Sequence, residues 1–353
     1  MRQVASPYKI AWHADKLRRF LAGERILPAT VEMDITTECN AGCHNCPSTR
    51  SPSAKKLDLQ LVDRLFASLQ GETRGLLLSG GEPTLADTFP HTLALARRHG
   101  FDEVTIVTNG SQLHRASVQT ALLQYASAVR VSIYGWNHGP SGELTAILRK
   151  IERLRSRIEQ ERSQLEIGVS LLTSKETVSE LDAITEIVRD SGAHWIYFHP
   201  RCTGWGTGHL GLSDQSGVAE GVRQLQCLYE NFEVYICPDR YTPQRVSFAE
   251  YCTSHFLLVV GADTRLYLGT ETKYQPHCVV GEITVDWSTE SLWSPGRLDA
   301  IRGANSATYT AVGGMHRGIL YSLLIQDIKD GRASLDEAVF HARSLDLRFP
   351  HVL

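Results

Sequence analysis

The sequence lacks three features that would direct it to a membrane, to nucleic acid or to a disordered role. No continuous apolar run occurs between Met1 and Leu27, which excludes an ordinary signal peptide or transmembrane helix there. No long block of like charge occurs, and 36 basic against 39 acidic side chains give a net charge of -3. A general attraction to nucleic acid or to an anionic membrane is therefore not expected. Low-complexity segments are also missing. We therefore expect a folded, cytoplasmic protein that binds neither nucleic acid nor a membrane.

Cysteine, by contrast, is plentiful, since the chain has eight, and three of them fall within eight positions at Cys39, Cys43 and Cys46. In a reducing compartment such a group is more often metal-binding or catalytic than disulfide-bonded. Structural zinc usually takes four ligands in paired spacing, and the sequence has no second C-x2-C pair to complete such a set. Three thiolates suit an iron-sulfur cluster with one iron open to a small ligand. A zinc site that includes His44, or purely structural thiols, are the alternatives.

Short apolar runs rich in β-branched residues recur along the first two thirds of the chain, with starts roughly 25 to 45 residues apart. They are Val31 to Thr36, Leu76 to Ser79, Val104 to Thr108, Val129 to Tyr134, Ile167 to Thr173 and Trp195 to His199. Amphipathic segments separate them. This alternation predicts an α/β fold with a parallel sheet, either open and doubly wound or a partial barrel, whose chemistry lies at the carboxyl ends of the strands.

Three helices can be placed with their ends. One spans Leu57 to Leu69 and stops at Gly71, and a second carries Leu144 and Ile158 on its apolar face. A third is predicted to begin with a capping box formed by Thr177 and Glu180 and to end at Gly192.

The strand-helix rhythm breaks after about Gly204, where glycines and further cysteines precede short strands such as Phe256 to Gly261. We predict an N-terminal extension over 1–28, a barrel domain over 29–203, a smaller α+β domain over 204–310 and a helical tail over 311–353. The tail should contain helices from Ile319 to Ile328 and from Leu335 to Leu345.

Two motifs follow the first two predicted strands. Cys39-Asn-Ala-Gly-Cys43-His-Asn-Cys46 comes after the first strand, and Ser79-Gly80-Gly81-Glu82-Pro83 ends the second. The spacing C-x3-C-x2-C, joined about 35 residues later by Gly-Gly-Glu-Pro at a strand end, resembles the radical S-adenosylmethionine (radical SAM) family. One departure is Asn45, because many members of that family carry an aromatic residue just before the last cysteine.

The resemblance implies a partial (β/α)6 TIM-like barrel that holds one 4Fe-4S cluster on Cys39, Cys43 and Cys46. It also implies that S-adenosyl-L-methionine binds the open iron and is cleaved reductively to a 5'-deoxyadenosyl radical, which takes hydrogen from the substrate. An electron donor such as flavodoxin or ferredoxin would be needed. The implied cofactor contacts are Gly80, Gly81, Glu82, Pro83, Thr108, Asn109, Ser132, Ser170 and Tyr197. The strand-end residues among them have plain alternatives, since Asn-Gly is a common turn and a serine can cap backbone groups.

The region after 204 resembles the SPASM or Twitch extension of the family, which binds auxiliary clusters. Where that extension usually carries a cysteine, this chain reads Leu268-Gly269-Thr270, so a ligand is missing. We expect no second cluster, with Cys237, Cys252 and Cys278 as small buried side chains. The alternative is an atypical second cluster on those three cysteines.

Cys202 follows the sixth strand and is a candidate hydrogen donor to a product radical, unless it is a packing cysteine. The stretches 136–142 and 204–211 are candidate covers for the barrel mouth, unless they are ordinary surface loops.

Only 38 residues precede Cys39, fewer than the leader-binding domain of many peptide-modifying relatives. The expected substrate is therefore a small polar metabolite of the sugar, aminoglycoside or nucleoside type, as in natural-product biosynthesis. The alternatives are radical modification of a ribosomally made peptide, by epimerisation or crosslinking, and, from another class, a non-catalytic metal-binding module.

Overall fold

The computed structural model describes residues 2–3, 6–43, 46, 48, 51, 53–134, 142–200, 217–229, 231–241, 247–305 and 317–353. Its first strands in chain order are β1 (Arg2–Gln3), β2 (Thr30–Asp34), β3 (Gly75–Ser79), β4 (Glu103–Thr108), β5 (Ala128–Ile133), β6 (Glu166–Thr173) and β7 (Trp195–Pro200). The later strands are β8 (Glu233–Ile236), β9 (Leu257–Val260), β10 (Arg265–Tyr267), β11 (Val279–Glu282) and β12 (Asp346–Leu347).

One sheet dominates the described chain, with the order β11-β10-β9-β2-β3-β4-β5-β6-β7-β8. Neighbours from β2 to β8 pair in parallel, and β9 pairs in parallel with the other side of β2. Strands β10 and β11 continue that edge in antiparallel pairing. The six predicted strands are confirmed as a mostly parallel α/β sheet, and it is not closed among the described strands.

Helices connect the parallel strands and cover the outer face of the sheet. They are α1 (Ala14–Leu21), α2 (Leu59–Leu69), α3 (Phe89–Arg98), α4 (Ala116–Tyr125), α5 (Gly142–Glu161), α6 (Leu181–Asp190), α7 (Val218–Leu228), α8 (Pro295–Gly303), α9 (Arg317–Lys329) and α10 (Leu335–Ser344). No helix of the described residues has the length and apolarity needed to cross a membrane.

The core lies between the sheet and these helices, because alternate strand residues point outward. Val31, Met33, Leu76 and Leu78 are buried at 3% exposure or less against Leu65 and other helix residues of one large cluster. The residues between them, such as Glu32 and Asp34, point into the concave face. A concave face with buried charges suits a polar ligand better than close apolar packing.

One predicted helix start is wrong by three residues. The backbone N–H of Ser174 donates to Thr177 Oγ1 at 2.8 Å. Ser174 is therefore the N-cap residue, and Thr177 is at position N3 of the capping box. A 3-10 turn over Lys175–Glu180 precedes α6. The predicted end is correct, since Gly192 takes a left-handed φ of +84°.

The residues after β12 cover the amino ends of the parallel strands. Thr30 Oγ1 donates to the carbonyl of His351 at 2.5 Å and accepts from the N–H of Leu353 at 3.0 Å. The N–H of His351 donates to Glu103 Oε2 at 2.7 Å. Ligand access is therefore expected at the opposite end, where the carboxyl ends of the strands lie.

The proposed division into 1–28, 29–203, 204–310 and 311–353 stays a prediction. The structure does show that β8 and β9 extend the two edges of the six-stranded unit.

Candidate active site

A loop that carries the three clustered cysteines leaves the carboxyl end of β2. Its two ends are joined by a short ladder, in which the N–H of Thr37 donates to the carbonyl of Lys55 at 2.9 Å and the N–H of Leu57 to that of Ile35 at 3.0 Å. The neck fixes where the loop begins and ends. The cysteines are thereby held near the strand ends.

Gly80 and Gly81 press against this neck. The N–H of Gly81 donates to the carbonyl of Thr36 at 2.8 Å. A Cβ on Gly81 would meet the carbonyl oxygen of Glu38 at 2.2 Å, and Gly80 has a φ of +135°, which favours glycine. The family resemblance implies that Gly80 and Gly81 contact the cofactor, and that contact stays a prediction. In the structure, the close approach that they permit is to the chain's own backbone just before Cys39.

Glu82 is fully buried and binds the next strand end. Its Oε1 accepts from Thr84 N at 3.1 Å and from Thr108 Oγ1 at 2.7 Å, and its Oε2 accepts from Asn109 N at 2.6 Å. The hydroxyl of Thr84 also donates to Oε1. The carboxylate thus ties the ends of β3 and β4 together. Its predicted contact with a ligand ammonium stays a prediction.

Asn109 connects β4 to the cysteine loop. Its Nδ2 donates to Asn40 Oδ1 at 2.9 Å and lies 3.8 Å from Cys39 Sγ. Ser111 Oγ donates to the same Asn40 oxygen at 3.2 Å. The cysteine loop and the turn at Asn109, which were predicted as separate parts of the site, are therefore in direct contact.

Three further predicted residues lie side by side on adjacent strands. Ser132 on β5 is in register with Ser170 on β6, which is in register with Tyr197 on β7. Ser170 is 1% exposed, and its hydroxyl has no hydrogen-bond partner in the described structure. Since buried hydroxyls are nearly always hydrogen-bonded, this donor fits a missing polar ligand.

Two of the three thiols on the loop, those of Cys39 and Cys43, have a pKa raised above the ordinary value. Burial raises the pKa of Cys43, and the nearby Cys46 and Cys39 raise it further. The pKa of Cys39 is likewise raised, mainly by burial. Among the described residues, no group of three His, Cys, Asp or Glu side chains converges on a single ion. The donor chemistry of three thiols on one loop fits a cluster, whose thiolates bind different irons.

The concave face also holds charges that we did not single out in the sequence. Lys273 Nζ lies 2.6 Å from Asp34 Oδ1 and 3.2 Å from Glu32 Oε1, and Arg317 lies 3.0 Å from Glu32 Oε2. Burial lowers the pKa of Lys273, but Asp34 and Glu32 outweigh it and raise the pKa above its ordinary value. The sequence did contain a signal for this cluster, since Glu32 and Asp34 alternate with apolar residues in the first strand.

Arg130 belongs to the same face. It lies on β5, two residues before Ser132 and in register with Gly168. Burial, and then Arg317, lower the pKa of its guanidinium. An arginine between Val129 and Val131 in a buried strand was visible in the sequence, but nothing local indicated what it faces.

The later cysteines lie apart from one another. Cys237 and Cys278 belong to the large core, whereas Cys252 belongs to a second cluster with Phe256 and Tyr321. Lys329 Nζ donates to Cys252 Sγ at 3.5 Å. Whether they hold a second cluster stays a prediction. Cys202, His44, Asn45 and the two candidate covers lie outside the described residues, apart from Gly142, which begins α5.

Comparison with known proteins gives a family match over part of the chain. Residues 33–160 match the family model described as the Radical SAM superfamily. GTP 3',8-cyclase of Caulobacter vibrioides is 37% identical over 93 residues, 24% of this chain and 27% of that protein. The 7,8-dihydro-6-hydroxymethylpterin dimethyltransferase of Methanocaldococcus jannaschii is 31% identical over 107 residues, 26% and 21% of the two chains. The match thus spans about a quarter of these relatives.

Solved structures resemble the chain over most of its length. Streptococcus suis SuiB bound to S-adenosylmethionine has a TM-score of 0.62 at 12% identity, covering 86% of this chain and 77% of that one. The protein anSMEcpe with bound AdoMet and Cp18Cys peptide has a TM-score of 0.56 at 14% identity, covering 90% and 100%. At these identities the likeness establishes the fold.

Proposed function

We propose that the chain is a Radical SAM enzyme, as the match of residues 33–160 to that family's model indicates, and that it cleaves S-adenosylmethionine reductively to act on a small polar metabolite. The observation that supports this most directly is the contact between the cysteine loop and the β4 end, where Asn109 Nδ2 lies 3.8 Å from Cys39 Sγ. This contact joins the cysteine loop to the strand end that Glu82 of the Gly-Gly-Glu-Pro motif binds.

In this proposal Cys39, Cys43 and Cys46 hold a 4Fe-4S cluster. When bound, the cluster and S-adenosylmethionine supply one-electron cleavage of a carbon-sulfur bond and removal of a hydrogen atom from substrate. The residues of the chain would position the cluster, the cofactor and the substrate. Glu82 orients the Thr108-Asn109 turn, and the unpartnered hydroxyl of Ser170 is available to bind the cofactor.

Pro83 begins the 3-10 turn that carries Thr84 under the Glu82 carboxylate. Gly80 and Gly81 hold the loop neck, and Ser132 and Tyr197 flank Ser170 in the row that would line the cofactor site. Cys202 is kept as the proposed hydrogen donor. The electron donor is proposed to be a flavodoxin or ferredoxin.

The substrate part of the proposal is supported by the concave face. Buried charges and hydroxyls line it, among them Glu32, Asp34 and Ser170, and such a lining would be costly against an apolar ligand. SuiB has been crystallised with its precursor peptide SuiA, so a peptide substrate remains the alternative to compare in assays.

The test is anaerobic reconstitution with iron and sulfide, followed by iron counting and assay of 5'-deoxyadenosine after reduction. Wild type is compared with a triple variant, Cys39→Ala, Cys43→Ala and Cys46→Ala. The matched control is Cys227→Ala, because Cys227 is an exposed cysteine on α7.

We expect about four irons per chain and 5'-deoxyadenosine from wild type and the control, and neither from the triple variant. About eight irons in wild type, with about four left in the variant, would indicate a second cluster. Zinc uptake without cofactor cleavage would contradict the proposed function and favour a non-catalytic metal-binding module.

A further inference from the structure

Arg130 is a cation without a counter-ion inside the barrel. Its Nε is buried and has no hydrogen-bond partner, and among the described residues no carboxylate forms an ion pair with it. The groups that influence its charge are Arg317, Tyr134, Tyr197 and Glu32. These come from different elements, so Arg130 faces the interior and not a neighbouring helix.

The nearby carboxylates are already engaged. Glu32 accepts from Lys273 at 3.2 Å, from Arg317 at 3.0 Å and from Thr270 Oγ1 at 2.6 Å. Asp34 accepts from Lys273 at 2.6 Å, from Tyr274 OH at 2.8 Å and from Ser79 Oγ at 2.8 Å. Each of the two carboxylates is therefore already bonded to Lys273 and to other donors, and no hydrogen bond within the described residues joins Arg130 to either of them.

A buried charge is costly unless it is paired. Guanidinium groups bind carboxylates and phosphates through two parallel hydrogen bonds, and such charge-assisted bonds are the strong ones. An arginine on the polar inner face of the sheet whose buried Nε has no hydrogen-bond partner therefore suits an anionic ligand.

Its depth separates it from the row of predicted cofactor contacts. Arg130 precedes Ser132 by two residues on the same face of β5, which places its Cα about 7 Å nearer the amino ends of the strands. The row of Ser132, Ser170 and Tyr197 lies above it, toward the mouth. A group bound at Arg130 would lie beneath that row.

We propose that Arg130 binds an oxyanion of the substrate, a carboxylate or a phosphate, beneath the Ser132-Ser170-Tyr197 row, so that the metabolite on which this chain acts is anionic. The inference rests on the proposed function and narrows its substrate class.

The experiment measures binding by calorimetry to the anaerobically reconstituted protein at constant ionic strength. The probes are pyrophosphate, malonate and S-adenosylmethionine. The variants are Arg130→Gln and the control Arg302→Gln, whose side chain is 65% exposed on α8. The first two probes distinguish a phosphate from a carboxylate, and the third tests whether the anion is the carboxylate of the cofactor.

We expect wild type to bind pyrophosphate or malonate, and Arg130→Gln to bind it about 10- to 100-fold more weakly. The control should match wild type, and the affinity for S-adenosylmethionine should be equal in all three proteins. If Arg130→Gln instead weakens S-adenosylmethionine binding, or if wild type binds neither anion, the inference is overturned. Wild type that fails to bind S-adenosylmethionine would contradict the proposed function itself, which is a separate result.

Should Arg130→Gln not fold, wild type still gives an answer. Phenylglyoxal modifies accessible arginines, and pyrophosphate or malonate should protect Arg130 from it when peptides are mapped by mass spectrometry. Equal modification of Arg130 with and without the anions would overturn the inference.

Discussion

Cys39, Cys43 and Cys46 lie on one loop with exposed or half-buried thiols, whereas Cys237, Cys252 and Cys278 are buried, 2% exposed or less. Burial, and then Asp239, raise the pKa of Cys237 to about 12, and burial with Glu250 does the same for Cys252. The first group has the accessibility that metal loading needs. The second group resembles ordinary small core residues.

The largest expected effect is on thiol reactivity. In cluster-free protein at pH 8, iodoacetamide should alkylate Cys237 and Cys252 about 100- to 1,000-fold more slowly than Cys39, because the thiolate fraction falls tenfold per pKa unit and burial blocks access. Peptide mapping by mass spectrometry gives the rates. In urea all cysteines should react alike. Equal rates for Cys252 and Cys39 in the folded chain would remove the distinction.

The next effect concerns the neck that holds the first group. Gly81→Ala should destabilise the chain by about 1–3 kcal/mol, because its Cβ would meet the carbonyl of Glu38 at 2.2 Å and the backbone must move. Urea denaturation measures the loss, and iron content after reconstitution should fall as well. Gly42→Ala, in the same loop with nothing within 4 Å of a Cβ, is the control. Similar behaviour of the two variants would contradict this role for Gly81.

A smaller effect depends on pH and concerns the surroundings of Cys252. The hydrogen bond from His255 and then the charge of Lys329 lower the pKa of Glu250 to about 2 from its ordinary 4.5. Its stabilisation is thus complete above about pH 4.5 and is lost as the pH falls toward 2. At pH 7, Glu250→Gln should cost about 1–2 kcal/mol after allowance for solvent screening.

Urea denaturation at pH 7, 5 and 4 checks this pH dependence, with the difference between wild type and Glu250→Gln beginning to shrink at the lowest pH. Glu290→Gln, at an exposed pair with Arg25, should change little. If the difference in free energy of unfolding between wild type and Glu250→Gln grew as the pH fell, the stabilising role of the Glu250 carboxylate would be contradicted.

The smallest expected effect is that of Cys237→Ala. It should cost about 1 kcal/mol as a small cavity and leave the iron content of the reconstituted protein at the wild-type value. Iron counting and urea denaturation check both points. A loss of about four irons would make Cys237 a ligand of a second cluster, and the two groups of cysteines would then be alike in function.

Prediction from the sequence succeeded where the pattern is local. The apolar runs at Leu76 to Ser79 and Ile167 to Thr173 became β3 and β6 within one residue at their ends, because alternating and continuous apolar runs report burial directly. It failed at the start of α6, since several residues near Ser174 could have formed the cap and only their hydrogen bonds decide between them.

Part of the candidate site was predicted because some of its residues form local sequence motifs. The cysteine spacing and the Gly-Gly-Glu-Pro motif are contiguous, and they identified Cys39 and Glu82 as candidates. The part that Gly81 plays in the neck was not predicted, because the sequence does not indicate which backbone lies against it. Arg130 was not predicted as a site residue, because its role depends on whether nearby carboxylates are already paired with other cations.

The sequence by itself determined the order of strands and helices, the resemblance to the family and the residues at the strand ends, since each depends on neighbours along the chain. Tertiary structure alone decided the charge balance of the barrel, because Lys273 and Asp34 are 239 positions apart and Arg317 and Glu32 are 285 apart. A buried charge is defined by what surrounds it in space. Only the folded chain could show that Glu32 and Asp34 are fully engaged and Arg130 is not.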